Sequence, residues 1–248
     1  MLEVAELLVA GAVIGLLLGI LGGGGAIFTA PLLIYAFDVA PLTATTVSLV
    51  VVLFAAASGL VGHARAHRVR WREGTVFGLV GIAGAVVGAL LAGALPERVL
   101  LGGFAVLLLA AAYAMYKPPV KAGAEHGRRG MVTVGATALG VGVVTGFFGV
   151  GGGFVIVPAL VLVLGFSMPT AAATGLLVIA INSLAALAVR GPQYLDLAVA
   201  IPMAVGAMVG SFVGSRVAGQ VPARRLQVGF AALMVATAVF IGVETALA

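Results

Sequence analysis

Gly19-Ile-Leu-Gly22-Gly23-Gly24-Gly25-Ala-Ile-Phe-Thr-Ala-Pro31 aligns without a gap with Gly146-Phe-Phe-Gly149-Val-Gly151-Gly152-Gly153-Phe-Val-Ile-Val-Pro158. Both stretches sit inside long uncharged runs, where a bilayer would surround the backbone. An unsatisfied amide in hydrocarbon costs on the order of several kcal/mol, so a glycine run at that depth must be buried in protein or line a polar cavity. Glycine there lets the chain turn sharply and lets its N–H groups approach a ligand, with the next helix N-terminus adding positive partial charge. The bland reading is close helix packing, which small residues serve throughout membrane proteins. Finding the pattern twice weighs against that reading.

Two further matches follow at nearly the same offset. Pro41-Leu-Thr-Ala-Thr-Thr46 aligns with Pro169-Thr-Ala-Ala-Ala-Thr174, and the run from Gly84 through Gly88 to Arg98 aligns with that from Gly210 through Gly214 to Arg224. The chain therefore reads as two repeats, 1–116 and 130–248. They are joined by the basic Pro/Gly linker 117–129, which is too charged to span and is expected in the cytoplasm. Prolines 41 and 169 suit helix starts. Gly84-x-x-x-Gly88 and Gly210-x-x-x-Gly214 suit helix contact or a homodimer face. Pro31 and Pro158 complete the motif of each repeat.

Composition fixes the solvent. Of 248 residues 62% are hydrophobic and 8% charged, whereas a soluble domain carries about 25% charged residues. Uncharged stretches long enough for a span of about 20 residues lie between Glu6 and Asp38, Asp38 and His63, and Glu73 and Glu97, and at 99–116, 130–189, 197–215 and 226–243. They predict an all-α membrane protein of eight to ten segments. Glu3 and Glu6 stand where a secretory signal would be basic, so the first helix is expected to remain. The net charge of +5 reads as loop charge beside a lipid bilayer, not as a nucleic-acid surface.

The glycine turns decide the topology. If they only kink a helix, each repeat has four crossings and nine of thirteen basic residues share one side. If the chain turns back at Gly22–Gly25, each repeat has five, and only Arg98 and Arg190 are left on the other side, which puts eleven of thirteen together. The second count obeys the positive-inside rule better and makes the repeats inverted, with both termini outside.

Neutral hydrogen-bonders follow each turn: Thr43, Thr45, Thr46 and Ser48 in one repeat, Thr170, Thr174, Asn182 and Ser183 in the other. Facing each other near the midplane, they would replace the hydration of a small anion without burying a fixed charge. The candidate substrate site is therefore Gly22, Gly23, Gly24, Gly25, Thr45, Thr46, Gly149, Gly151, Gly152, Gly153, Thr174 and Asn182. Ordinary capping and interhelical bonding compete for the threonines.

No cysteine is present, and His63, His67 and His126 read as loop residues beside arginines, away from metal-ligand spacing. Nor does the chain carry a phosphate-loop signature. No cofactor or metal is expected. An intramembrane enzyme would need a nucleophile with a base, or paired carboxylates, at membrane depth, and the sequence offers neither. A passive channel or structural module tolerates the same neutral interior and stays open as an alternative.

The paired Gly-rich turn, Pro31 or Pro158, and the Pro-then-Thr helix resemble the TauE/SafE family of sulfite-exporter-like permeases. The resemblance runs over nearly the whole chain and is closest in Gly146–Pro158; the first copy departs with Gly23 where the second has Val150. It implies transport of sulfite, sulfonates or related organosulfur anions; the expected location is the inner cell membrane, and without a phosphate loop the expected energy source is an ion gradient.

Overall fold

A computed structural model describes residues 4–92, 97–116, 130–148, 153–191 and 193–247. Ten helices account for them: α1 Val4–Leu21, α2 Ala26–Tyr35, α3 Pro41–Arg65, α4 Trp71–Ala92, α5 Glu97–Tyr116, α6 Met131–Phe148, α7 Gly153–Leu162, α8 Met168–Arg190, α9 Leu197–Val217 and α10 Ala223–Leu247. No strand occurs among the described residues. Among the described residues, seven helices are long and apolar enough to cross a bilayer. α2 and α7, ten residues each, are about 15 Å long, half the hydrocarbon thickness. The outer surface is apolar as lipid contact requires, with Val132 and Val189 among its most exposed side chains.

Local chemistry explains the boundaries. Pro41 opens α3, and Ser167 caps α8 by accepting from the Thr170 amide next to Pro169; proline fits there because its missing N–H would have no helical partner. Asp196 caps α9 in the same way. Asp38 and Gly165 hold the equivalent left-handed position after the two short helices. In each case the next amide bonds back, Val39 to Leu33 and Phe166 to Leu160. The two series of five helices thus match in order, length and turn geometry.

The register of the small residues gives the directions. Cβ atoms on Gly11, Gly15 and Gly19 of α1 would strike the carbonyls of Met203, Ala207 and Ser211 in turn, so α1 and α9 run parallel. Gly84 and Gly88 meet Leu139 and Val143, so α4 and α6 run parallel. Gly59 and Gly62 meet Ser211 and Ser215, so α3 runs with α9. The short connection 66–70 reverses the chain between α3 and α4. α1 and α6 therefore point opposite ways, and the five-helix series are inverted about a pseudo-twofold axis. Each series lends its first helix to the other, α1 against α9 and α6 against α4. Gly84, Gly88, Gly210 and Gly214 are filled by α6 and α1 within one chain, so a homodimer would need another surface.

The charged residues follow the same geometry. The Arg68 guanidinium lies beside Gly219, and Arg224 Nη2 donates to the Tyr116 carbonyl at 2.6 Å. The α3–α4 and α9–α10 connections and the end of α5 therefore share one basic end. Arg190 lies at the other, donating to Thr45 Oγ1 at 2.8 Å. The linker 117–129 lies outside the described residues.

Candidate functional site

α1 ends because Gly22 adopts φ +74°, a left-handed conformation that favours glycine, while its amide still reaches Leu18 O at 2.7 Å. A Cβ here would collide with the backbone of Ala172 on α8. The chain then doubles back. A Cβ on Gly25 would lie 2.5 Å from the Ile14 carbonyl and 2.9 Å from the Leu18 amide, so α2 starts against the last turns of α1. Gly25 is the N-cap of α2 and offers no side chain to cap it; the Ala26 amide turns back to Gly23 O at 3.3 Å.

The start of α7 meets this turn. A Cβ on Gly153 would stand 3.1 Å from the Gly23 carbonyl, 3.5 Å from Ala26 Cβ and 3.1 Å from Ile179. Ile179 is the middle residue of α8, so the N-terminal ends of α2 and α7 face each other at half the depth of that helix. Their dipoles give the junction positive partial charge without a cation. The junction is closed: Val157 packs between Gly23 and Gly175. A crevice lined by Gly24, Phe154, Phe230 and Leu233 leaves no room for a water molecule. Gly149, Gly151 and Gly152 lie outside the described residues.

The threonines do not gather as the sequence suggests. Thr45 sits in the first turns of α3, donates to Pro41 O at 2.9 Å and receives Arg190. Thr46 is buried and donates to Leu42 O at 2.8 Å. Thr174 is buried near the opposite end, where its hydroxyl accepts from the Arg70 amide at 3.2 Å. Thr45 and Thr174 thus mark opposite ends of the bundle instead of facing one another. Asn182 lies one turn beyond Ile179, and its Oδ1 is buried without a partner among the described residues.

A family model described as Sulfite exporter TauE/SafE matches residues 7–241. The chain belongs to the TauE/SafE family. Two proteins named "Probable membrane transporter protein" are similar to it, both from Xylella fastidiosa. That of strain Temecula1 is 37% identical over 178 residues, covering 70% of this chain and 67% of the relative. That of strain 9a5c is 36% identical over 180 residues, with the same coverage. No solved structure matches. The chain is thus a multi-pass membrane transporter of the TauE/SafE family.

Two groups in this TauE/SafE chain escape a reading by sequence. His63, read as a loop residue, is in the last turn of α3, wholly buried, with Nε2 3.0 Å from the Gly19 carbonyl. The length of the uncharged run after Asp38 is the signal that could have placed it inside the helix. Arg190, read as lying outside the spans, closes α8 and reaches across to Thr45. Nothing in the local sequence links residues 145 positions apart.

Proposed function

We propose that the chain is a carrier for a small oxyanion, a sulfur oxyanion or organosulfonate such as sulfite, across the bacterial inner membrane, driven by an ion gradient. One observation carries this reading: the N-terminal ends of α2 and α7 meet beside Ile179, the middle of α8, with Gly23 and Gly153 at the contact. Amides at a helix N-terminus attract negative charge and release it more readily than a buried arginine would. Amides of Gly23–Gly25 and Gly149–Gly153 and the side chain of Asn182 form the site in this proposal, while Gly22, whose amide is held by Leu18 O, makes the turn. Thr46 is held by Leu42 O of its own helix, Thr174 accepts from the Arg70 amide at the basic end, and Thr45 belongs with Arg190 at the rim. The closed junction fits an occluded state of a carrier better than an open pore.

Uptake of labelled sulfite or taurine-like sulfonate into proteoliposomes tests the proposal. Saturable uptake is expected; a flux that stays linear in concentration would favour the passive channel. Asn182→Ala is expected to weaken anion binding by about 1–3 kcal/mol, the cost of losing a buried hydrogen-bonding group. Calorimetric affinity that equals the wild type would remove Asn182 from the site.

The same proposal places the basic end in the cytoplasm, by the positive-inside rule, and both termini on the far side. A C-terminal phosphatase fusion should be active and a C-terminal fluorescent fusion dark. The reverse pattern would invert the assignment.

A further inference from the structure

Polar groups that the anion site does not use collect where α1, α3 and α9 meet at the basic end. His63 projects from α3 and is wholly buried. Its Nε2 lies on the Gly19 carbonyl at 3.0 Å, and a carbonyl can only accept, so the geometry assigns the ring hydrogen to Nε2 and a lone pair to Nδ1. Among the described residues Nδ1 is buried with no partner, and so is the hydroxyl of Ser211 on α9. Ser211 packs against Gly59, one turn before His63, and a Cβ on Gly19 would strike the Ser211 carbonyl. The three helices thus enclose one unfilled proton position.

The charges facing it are few. Arg68 in the α3–α4 connection acts on it electrostatically, and Arg65 ends α3 itself. On α9, Arg216 stacks over the Phe212 ring at 4.3 Å. Among the described residues, Glu6 of α1 lies in that helix's first turn and Arg190 of α8 at the far end. α2 carries no acidic or basic side chain.

We propose that His63 is a proton-binding site linked to anion binding: Nδ1 takes up one proton as an anion occupies the facing ends of α2 and α7. The proposal rests on the anion reading above. A protonated ring has two N–H donors and a full positive charge, which strengthens the bond to Gly19 O. That carbonyl belongs to the C-terminal turn of α1, where the helix dipole favours a cation. Gly19 precedes Gly22 by about one turn, so the new charge stands close to the glycine junction. Each charge lowers the burial cost of the other. The proton comes from water at one membrane face and leaves with the anion at the other, so no oxidant or further reactant is needed. By linkage the anion raises proton affinity by the same factor as the proton raises anion affinity, on the order of tenfold for unit charges at this kind of separation.

The test uses the full chain in nanodiscs, labelled with ¹⁵N-histidine, with His63 assigned by the signal lost in His63→Gln. Methanesulfonate and sulfate serve as probes because neither changes its charge between about pH 5 and pH 8, the range in which histidine switches. The midpoint of the His63 ring is expected to lie about one pH unit higher when the anion saturates than without it. His63→Gln keeps an N–H for Gly19 O but cannot take a proton, so its anion affinity should lose its pH dependence while the protein stays folded. A ring that remains neutral throughout, an unmoved midpoint despite anion binding, or a wild-type pH profile in His63→Gln would each overturn the proton site. If neither anion protects the wild type from thermal unfolding at any pH, the anion reading itself falls and the linkage falls with it, whatever the ring does.

Discussion

Gly22→Val is expected to abolish transport and to remove most of the folded protein. Two costs add at this one position. The residue holds φ +74°, where any side chain costs about 1–2 kcal/mol and a β-branched one more. The new Cβ would also meet the Ala172 backbone on α8, and backbone cannot rotate aside as a side chain can; such overpacking costs typically 1–3 kcal/mol or more. Together they amount to roughly 3–5 kcal/mol at the point where α1 must stop for α2 to begin. The control is Gly140→Ala on α6, where an added Cβ meets nothing within 4 Å and alanine should stabilise the helix by about 0.5–1 kcal/mol. Thermal unfolding of both variants by fluorescence-detected size exclusion separates the effects. A Gly22→Val protein with wild-type stability and uptake would mean that the chain does not turn at Gly22.

Gly15→Leu is expected to be as severe without touching the proposed site. Its Cβ would enter the Ala207 carbonyl, so α1 and α9 could no longer lie side by side. In hydrocarbon the driving force between helices is this close packing itself, because lipid tails are as apolar as leucine. We expect a loss of at least about 3 kcal/mol. Gly146→Leu, which strikes Ala85 at the pseudo-symmetric seam between α6 and α4, should behave alike. Monodisperse, active protein from either variant would show that the interlocked seams are not what holds the two series together.

Much of the architecture could be read along the chain. Apolar length, charge placement and glycine or proline punctuation are local properties, so the spans, the repeat and the breaks at Gly22–Gly25 are visible one residue at a time. Counting lysines and arginines favoured five segments per repeat over four, since each basic residue reports the side of the membrane its own loop occupies. Pairing is not local. That α1 packs on α9 and not within its own series depends on small residues almost two hundred positions apart, and every glycine stripe in the sequence was an equally good candidate partner.

Side-chain direction was settled only by the assembled helices. Thr45 and Thr174 look equivalent in sequence, but the inversion sends one to Arg190 at one end and the other to the Arg70 amide at the opposite end. His63 sits among arginines in the sequence, yet α3 continues far enough to carry it into the bundle and onto Gly19. The sequence by itself determined the solvent, the spans and where the helices break, because hydropathy and backbone freedom act on a residue and its neighbours. Only the tertiary structure decided which broken ends meet and which polar atoms are left unpaired, because burial of a side chain depends on the helix that arrives beside it from the other half of the chain.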